Sequence, residues 1–380
     1  MLRLCLLFAL GREGQGLSGG PKVSPGGLSR RTLGGLSIGG LGGALVGPAP
    51  VSAVPFPSRE LFVPGPMAGD TVLVTGGNTG LGLETAKRLA AAGATVVLTA
   101  RTRDKVDAAL AAVVLAAPGS KPQGVVLDLA SLESIKSFPA RLPAGVAQGG
   151  IDVLVNNAGV MAIPERLETA DGFERQIGIN FLGHYALVGA LLPYLRQKGA
   201  FRVVSVSSAA QDFATGDAIK KAIAADLEPE YSAWGNYGLS KAFNVAFSTE
   251  LQRRFDAAGI TASAVSLHPG LVQTDLARYL LGTTETATAP TAEAVAAMNP
   301  LQKLALQAVN LVVLPVAVGA NTQVFLAAGG DTPTRNLAAS GGLYFDDMRI
   351  AKPNAAAVDA QVAKDLWQKA EKLTGVKYAI

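Results

Sequence analysis

The sequence predicts an α/β protein in which helices cover both faces of a doubly wound parallel sheet, within a single domain. One observation is a series of short continuous apolar runs between residues 71 and 266, as strands buried on both faces require. A second is that a helical segment separates each run from the next, which makes the strands parallel. A third is the glycine-rich turn at 76–82, between the first run and its helix.

The elements follow one another regularly up to residue 276 and less regularly afterwards. Strands are predicted at 71–75, 94–99, 124–127, 151–155, 202–206 and 261–266. Helices are predicted at 80–92, 104–117, 131–138, 171–196 and 236–257. Beyond them we expect a low-complexity loop at 282–300, a very apolar segment at 301–320, a helix at 317–328, an edge strand at 343–345 and an amphipathic helix at 356–373.

The first 60 residues are predicted to be a disordered targeting leader, and residues 68–380 the folded domain. Residues 1–53 contain five basic residues and one acidic residue, so the whole formal surplus of +4 lies there. The rest of the chain is neutral by count, and we therefore expect no nucleic-acid partner.

The sequence of the leader is compatible with several cellular locations. The pair Arg30-Arg31, the apolar stretch 33–46 and the small residues before and at Ala53 are typical of a twin-arginine export signal. A plastid transit peptide followed by such a signal would deliver the protein to the thylakoid lumen, with cleavage after Ala53. A simple plastid or mitochondrial transit peptide is the alternative. If the start of translation lies further along the chain, the protein is cytoplasmic.

Few residues could bind a metal. Cys5 is the only cysteine and lies in the leader, and the only histidines are His184 and His268. A disulfide, a thiolate metal site and a zinc enzyme are therefore not expected. The chemistry must come from hydroxyls, amines, amides and a cofactor.

Tyr237 and Lys241 are the most informative side chains. They are four residues apart in a predicted helix and therefore share one of its faces. A nearby ammonium lowers the pKa of a phenol, and a phenol with a lowered pKa can exchange a proton with a carbonyl or alcohol oxygen. The pair thus predicts acid–base chemistry at an oxygen atom of a substrate.

The glycine-rich turn predicts a dinucleotide site. Gly76, Gly80 and Gly82 follow a strand and open a helix, where unpaired N–H groups and the helix dipole favour a pyrophosphate. Arg101 follows the second strand, at the place where an acidic residue would indicate NAD. An arginine there can pair with a 2′-phosphate, so NADP is favoured, with NAD possible.

These residues resemble the short-chain dehydrogenase/reductase family, whose fold is Rossmann-like. Within this family, the sequence motifs are most similar to those of the retinol dehydrogenase and WW-domain oxidoreductase-like branch. The matching motifs, in the order the family has them, are Thr75–Gly82, Asp128-Leu129, Asn156–Gly159, Asn180, Ser207-Ser208, Tyr237-x-x-x-Lys241 and His268–Val272 with Thr274.

The resemblance implies a role for each motif. It implies that Tyr237 exchanges a proton with the substrate and that Lys241 lowers the pKa of Tyr237. It also implies that Ser208, rather than Ser207, donates a hydrogen bond to the substrate oxygen, and that Asn180 holds a water molecule of the proton relay. The cofactor-binding residues that it implies, together with those of the glycine turn, are Gly76, Asn78, Thr79, Gly80, Leu81, Gly82, Arg101, Asp128, Leu129, Asn156, Ala158, Gly159, Tyr237, Lys241, Pro269, Gly270, Val272 and Thr274.

Together the observations predict an NADP-dependent oxidoreductase that interconverts a carbonyl and an alcohol. The apolar region 301–318 and the branch favour an apolar substrate and allow contact with a membrane surface. A non-catalytic NADP(H)-binding sensor or scaffold and an enzyme similar to protochlorophyllide reductase are the alternatives. Helices 171–196 and 236–257 often form dimer contacts in this family, so a homodimer is possible. His184 is expected to pack or cap rather than to react.

Overall fold

The computed structural model describes residues 60–272, 313–329 and 341–380. Its strands form one sheet in the order β3-β2-β1-β4-β5-β6-β7-β8. All neighbouring strands are parallel except β7 and β8, which are antiparallel. The strands are β1 Thr71–Val74, β2 Thr95–Ala100, β3 Gln123–Val126, β4 Val153–Asn156, β5 Phe201–Val206, β6 Ala262–His268, β7 Tyr344–Asp346 and β8 Arg349–Ala351.

Helices cover both faces of this sheet. One core lies between the sheet and helices α5, α7 and α10, and the other lies between the sheet and helices α1, α2 and α9. The helices are α1 Gly80–Ala91, α2 Arg103–Ala116, α3 Leu132–Lys136, α4 Ala144–Gly149, α5 Arg175–Arg196, α6 Gly216–Ala224, α7 Ala233–Ala257, α8 Val316–Gly319, α9 Asn321–Ala328 and α10 Ala360–Thr374. This is the doubly wound arrangement that the sequence predicts.

Helix α5 contains a π-helical turn at Gly178–Leu182. It starts later than predicted because Glu174 caps it: the Glu174 carboxylate accepts hydrogen bonds from the N–H groups of Gln176 and Ile177, both at 2.9 Å. Within the described residues, α5 is the one helix that is long and apolar enough to cross a membrane, and 78% of its apolar window is buried inside the domain. It is therefore a core helix in this fold.

The predicted strands and helices up to residue 268 are present, with ends that differ by a few residues. The expected edge strand is wrong: β7 lies inside the sheet between β6 and β8, and β8 forms the edge. Three further elements were not predicted, namely β8, α4 and α6. β8 and α4 are too short for a periodic pattern, whereas α6 has nine residues whose buried Ile219, Ala222 and Ile223 recur at helical spacing, a signal that the sequence interpretation missed. The predicted segments at 282–300 and 301–312 lie outside the described residues.

Residues 60–67 also pack on the domain, ahead of its predicted start at 68. The Met67 side chain is buried, and the Met67 N–H donates to the Ala92 carbonyl at 2.8 Å. The rings of Phe62 and Phe325 meet edge to face with centroids 5.3 Å apart. The Phe62 N–H donates to Asn321 Oδ1 at 3.0 Å. This segment therefore ties α1 to α9 rather than serving as a free linker.

Candidate active site

The glycine-rich turn between β1 and α1 forms a shallow cradle of backbone atoms. Gly76 and Gly80 have φ angles of +61° and +53°, which L side chains rarely adopt. A Cβ at Gly82 would collide with the Gly76 carbonyl and with Asn157, and a Cβ at Gly76 would lie 3.0 Å from Ala158. The first turn of α1 begins at Gly80, so its free N–H groups face this turn. The arrangement fits the pyrophosphate of a dinucleotide.

Thr75 and Asn157 fix the shape of this turn from below. The Thr75 hydroxyl accepts hydrogen bonds from the N–H groups of Asn157 and Ala158, at 2.9 and 3.0 Å. The Asn157 amide nitrogen donates back to the Thr75 carbonyl at 2.9 Å. The loop after β4 and the turn after β1 are thus tied together at adjacent strand ends. Sequence reasoning did not assign a role to either side chain.

His184 links this turn to α5. Its ring is fully buried, and burial lowers the pKa of His184 to about 4, so the imidazole is neutral. Nδ1 lies 3.0 Å from the Asn180 carbonyl oxygen, which can only accept, so the single ring proton must be on Nδ1. Nε2 is then an acceptor, and the Thr75 hydroxyl at 2.9 Å donates to it. His184 therefore connects α5 to the glycine-rich turn through hydrogen bonds at both ring nitrogens.

Asn180 lies in the π-helical turn and holds the loop after β4. Its Oδ1 accepts from the Val160 N–H at 2.8 Å, and its Nδ2 donates to the Val160 carbonyl at 2.9 Å. Nδ2 also donates to the Ser240 hydroxyl at 2.9 Å, which connects α5 to α7. A Cβ at Gly159 would lie 3.1 Å from Asn180 Oδ1 and 3.6 Å from Lys241 Nζ. The chain after β4 thus contacts the glycine turn on one side and the Asn180 and Lys241 side chains on the other.

Tyr237 and Lys241 occupy the first half of α7, against the end of β5. The Lys241 ammonium donates to the Val206 carbonyl at 3.0 Å and lies 5.7 Å from the centroid of the Tyr237 ring. The Ser208 hydroxyl lies close enough to the Tyr237 phenol to lower its pKa, and it accepts a hydrogen bond from the Ala210 N–H at 3.1 Å. Ser207 faces elsewhere, because its hydroxyl donates to the Lys241 carbonyl at 2.8 Å. Of the two serines, Ser208 is therefore the one beside the phenol.

Burial dominates the electrostatics of this cluster. Both side chains are only 3% exposed. Burial raises the pKa of Tyr237 to about 12, although the neighbouring Ser208 hydroxyl acts in the opposite direction. Burial also lowers the pKa of Lys241 to about 8. The expected lowering of the Tyr237 pKa is therefore wrong in direction for the protein chain itself, because loss of solvation dominates the shift.

The loops after β5 and β6 are held together by His268. Its Nδ1 accepts from the N–H groups of Ala209 and Gly270, at 3.2 and 3.3 Å. Burial lowers the pKa of His268, while the carboxylates of Asp346 and Asp212 oppose that shift. His268 thus sets the position of the backbone beside Ser208 and beside Pro269.

The remaining predicted cofactor residues occupy different environments. Asn78 is half-buried, Leu81 is half-buried against the core, and Arg101 is exposed directly after β2. Asp128 is half-buried after β3, and its Oδ1 accepts from the Ala130 N–H at 2.9 Å. Thr79 is the residue that precedes the first turn of α1.

Four other predicted cofactor-binding residues are buried, contact another element or lie outside the described residues. Asn156 is buried between β4 and β5, where its Nδ2 lies 3.4 Å from the Ser205 hydroxyl, so its side chain does not face a ribose site. Leu129 packs into the core. Val272 is in contact with Gly319 of α8. Thr274 lies outside the described residues.

Two aromatic rings lead from the surface to the buried phenol. Trp234 contacts Tyr237 edge to face with ring centroids 6.0 Å apart. Phe213 contacts Trp234 in the same way at 6.2 Å, and its side chain is 46% exposed. Phe213 and Trp234 both lie in or beside the long β5–α7 connection. This connection therefore presents an apolar surface beside Tyr237.

Gln323 is a further residue that sequence reasoning missed. It is fully buried on α9, and its Nε2 lies within hydrogen-bonding distance of the Leu81 carbonyl, the Thr85 hydroxyl and Asn157 Oδ1. It fixes α1 and the loop after β4 from the opposite face. In the part of the chain that the structure describes, no group of three His, Cys, Asp or Glu side chains could hold a metal ion.

Comparisons with known proteins agree with this geometry. A family model described as short chain dehydrogenase matches residues 70–219. Retinol dehydrogenase 13 from Homo sapiens is 33% identical over 314 residues, which cover 81% of this chain and 86% of that protein. Polyprenol dehydrogenase from Mus musculus is 35% identical over 317 residues, which cover 82% and 85%. The structure of an uncharacterized protein from Mycobacterium Paratuberculosis matches with a TM-score of 0.60 and 31% identity, covering 83% of this chain and 97% of that one.

The matched region of the family model contains the glycine turn, the loop after β4, Asn180 and Ser208. The two relatives match over 314 and 317 residues, so the likeness includes more than this region. The chain belongs to the short-chain dehydrogenase/reductase family, in its retinol dehydrogenase-like branch, and is an oxidoreductase that acts on alcohol or carbonyl groups with a nicotinamide cofactor.

Proposed function

We propose that this enzyme uses NADP to interconvert a carbonyl and an alcohol on an apolar small molecule, with Tyr237 as the general acid/base. The observation that carries the proposal is the position of the Tyr237 phenol beside Ser208 and Lys241. Gly159 connects this cluster to the glycine turn, because it lies against Lys241 while its neighbour Ala158 lies against Gly76. The reacting group and the dinucleotide site therefore share one cleft.

The cofactor would be held mainly by backbone groups. Gly76, Gly80 and Gly82 leave room for a pyrophosphate, and the N-terminus of α1 supplies N–H donors. Arg101 is exposed directly after β2, and an arginine at this position can pair with a 2′-phosphate, which is the basis for proposing NADP rather than NAD. When bound, the reduced nicotinamide supplies the hydride.

The side chains of the cluster move and hold the proton. With a pKa near 12, Tyr237 is protonated at neutral pH, so its hydroxyl can give a proton to a carbonyl oxygen as that oxygen becomes negative. Ser208 can donate a second hydrogen bond to the same oxygen. Alcohol oxidation runs the same proton transfer in reverse, with the proton passing from the alcohol oxygen to the Tyr237 oxygen.

An apolar substrate follows from the surface beside the phenol. Phe213 and Trp234 present aromatic faces that a long hydrocarbon chain can cover. The names of two similar proteins, retinol dehydrogenase and polyprenol dehydrogenase, refer to alcohols with apolar chains. We therefore propose an aldehyde or ketone with an extended apolar chain as the substrate.

The test is a turnover assay of the full chain with NADPH or NADH and a series of aldehydes of increasing chain length. We expect NADPH consumption that rises with chain length. Arg101→Ala should reduce the preference for NADPH over NADH by about 10-fold or more, because it removes a charge-assisted contact to a phosphate. Arg103→Ala, an exposed arginine of α2 that pairs with Asp107, is the matched control.

Other outcomes of this assay select a different function. Binding of NADPH without consumption by any aldehyde or ketone would favour the sensor or scaffold. Equal use of both cofactors by wild type and Arg101→Ala would contradict the assignment of NADP. Light-dependent reduction of a tetrapyrrole would favour the protochlorophyllide reductase-like alternative.

We propose that the protein is imported into a plastid and that its final location is the thylakoid lumen. The basis is the basic, acid-poor leader with its Arg30-Arg31 pair and the small residues ending at Ala53. Sequencing the N-terminus of the protein recovered from cells tests this proposal. A start just after Ala53 supports lumenal delivery, an earlier cut supports a simple plastid or mitochondrial transit peptide, and an intact leader contradicts both.

A further inference from the structure

A short 3₁₀ turn, Ala209–Phe213, follows Ser208 at the start of the β5–α7 connection. The Gln211 N–H donates to the Ser208 carbonyl at 3.0 Å, and the Ala210 N–H donates to the Ser208 hydroxyl at 3.1 Å. Because the hydroxyl oxygen is the acceptor there, its own proton can be donated to another oxygen atom. The position of this turn therefore decides where the Ser208 hydroxyl lies.

The turn packs directly on α7, next to the buried phenol. A Cβ at Gly238, the residue after Tyr237, would lie 2.8 Å from the Ala210 carbonyl oxygen and 3.1 Å from Phe213 Cβ. The Phe213 ring also meets the Trp234 ring edge to face. The turn thus has a hydroxyl at its start and an aromatic ring at its end, and both lie beside the phenol.

Asn354 holds this turn from a distant part of the chain. It follows β8 at the edge of the sheet, and its Nδ2 donates to the carbonyls of Gln211 and Ala214, at 2.8 and 2.7 Å. The Asn354 N–H donates to Gln211 Oε1 at 3.2 Å, and the Gln211 side chain is buried. Three hydrogen bonds from one residue therefore fix the end of the turn.

The amide oxygen of Asn354 has a separate task. It accepts from the N–H groups of Ala356 and Ala357, at 3.0 and 3.4 Å, and Ala357 is buried in the core. The oxygen thus shapes the segment that contains Asn354, whereas the nitrogen holds the turn after Ser208. A change of Asn354 to aspartate separates the two tasks, because a carboxylate accepts hydrogen bonds but cannot donate them.

The second half of the β5–α7 connection is held by different groups. Glu228 Oε1 accepts from the Glu174 N–H at 2.9 Å, and Glu228 Oε2 pairs with the Arg166 guanidinium at 2.6 Å. These contacts join the second half of the connection to the chain after β4 and do not involve the turn at 209–213. Loss of the Asn354 donors should therefore displace the turn without releasing the rest of the connection.

We infer that Asn354 is a positioning residue for the substrate, which acts by fixing the distance between Ser208 and Phe213. The inference rests on the proposed function, because that function places the substrate oxygen at Ser208 and the apolar chain at Phe213. A substrate can use both contacts at once only if the turn between them keeps its shape. Asn354 should therefore affect both kcat and the preference for long chains.

The test compares kcat and KM of wild type, Asn354→Ala and Asn354→Asp with NADPH and with aldehydes of short and long chains. Titration with NADPH counts the folded sites, so a variant that merely folds less well is corrected for. We expect both variants to lower kcat by about 10-fold or more, because the hydroxyl is displaced. Both should also lose most of the advantage of long chains, which we expect to be about 4-fold per buried methylene group in wild type.

A second measurement, acrylamide quenching of tryptophan fluorescence, reports the turn itself. Phe213 covers part of the half-buried Trp234 ring, whereas Trp367, the other tryptophan, is buried on α10. We expect stronger quenching in both Asn354 variants than in wild type. Gln148→Glu, which makes the same amide-to-carboxylate change at an exposed position of α4, is the matched control and should behave as wild type.

Three results would overturn the inference. One is an Asn354→Asp variant with the wild-type kcat and chain-length preference, because the amide nitrogen would then be dispensable. Another is an equal fractional loss for short and long chains, which a merely structural role would produce. The third is unchanged quenching in both variants. If Asn354→Asp does not fold, Asn354→Ser takes its place, since a serine keeps an acceptor but has a shorter side chain with one donor.

Failure of the proposed function gives a different result. A wild type that binds NADPH but reduces no aldehyde or ketone would contradict the proposed function, and the inference with it. An active wild type whose Asn354 variants keep its chain-length preference would contradict the inference alone.

Discussion

The glycine-rich turn after β1 and the cluster of Tyr237 and Lys241 on α7 both lie at the carboxyl ends of the parallel strands, but they are built from different chemical groups. The turn consists of backbone atoms and glycines, and a single added Cβ at Gly82 would collide with two neighbours. The cluster consists of a phenol and an ammonium that are both almost fully buried. The turn thus depends on the absence of side chains, whereas the cluster depends on the displacement of pKa values by burial.

Because of this difference, substitutions in the two regions should change different measured properties. Changes in the turn should alter cofactor affinity and leave the intrinsic chemistry alone. Changes in the cluster should alter turnover, and removal of a buried charge should also change stability. His184 lies between the regions and should affect both.

Apart from Tyr237 itself, the largest effect is expected at Ser208. Ser208→Ala removes a hydroxyl that we place at the substrate oxygen, and loss of such a donor lowers kcat by about 10²–10³-fold. Ser207→Ala is the matched control, because the Ser207 hydroxyl bonds the Lys241 carbonyl instead. Steady-state kinetics with NADPH and a long-chain aldehyde measure both. A larger loss of kcat for Ser207→Ala would reverse the assignment of the two serines.

Lys241→Met should lower turnover and raise stability at neutral pH. The pKa of Lys241 falls from 10.5 to about 8 on folding, so the folded protein disfavours the ammonium. This cost is present in full below pH 8 and disappears as pH rises through 10.5, which amounts to about 3 kcal/mol at pH 7. The Val206 carbonyl keeps a partner in the variant, because Asn244 Nδ2 also donates to it at 3.2 Å.

Urea unfolding of wild type and Lys241→Met at several pH values checks this prediction. The stability gain of the variant should be largest at pH 7 and should shrink toward zero above pH 10.5. A variant that is less stable than wild type at pH 7 would show that Lys241 contributes more through its contacts than its burial costs.

A smaller effect, confined to binding, is expected at Gly82. Gly82→Ala places a methyl group against the Gly76 carbonyl and Asn157, and the resulting shift of the turn should weaken NADPH binding by about 10-fold. Fluorescence titration with NADPH measures the Kd, with Gly145→Ala in α4 as the control, since a Cβ there meets no atom within 4 Å. At saturating NADPH the kcat should approach that of wild type. An unchanged Kd would mean that this turn does not hold the dinucleotide.

The smallest effect is the coupling between Thr75 and His184. Thr75→Val and His184→Leu each remove one end of the same hydrogen bond, so the double variant should lose less than the sum of the two single losses, by about 0.5–3 kcal/mol. The readouts are the free energy of unfolding and the Kd for NADPH. Because the pKa of His184 is near 4, neither variant should shift the pH profile of activity above pH 5. A shifted profile would instead identify His184 as a proton carrier.

The strands and the glycine turn were predictable because each depends on residues that are close in sequence. Continuous apolar runs identify β1, β4 and β5, and glycines at fixed offsets identify the turn. The bonds of His184 and Gln323 could not be predicted in this way. They join residues 109 and 238 positions apart, and no local pattern specifies such a pairing.

The direction of the Tyr237 pKa shift was wrong for a related reason. The spacing of Tyr237 and Lys241 correctly places them on one helix face, but spacing says nothing about how much solvent the surrounding loops remove. Burial decides the sign, and burial is a property of the whole fold. The interior position of β7 likewise depends on β8, which is only three residues long.

The most direct test of Tyr237 as proton donor is a single-turnover measurement of aldehyde reduction with the full chain saturated with NADPH. Loss of NADPH absorbance is followed in wild type and in Tyr237→Phe, which removes only the hydroxyl. We expect NADPH to bind both proteins with similar affinity and the rate of reduction to fall by about 10²–10⁴-fold in the variant. A variant that reduces the aldehyde at the wild-type rate would contradict the assignment of Tyr237 as the acid.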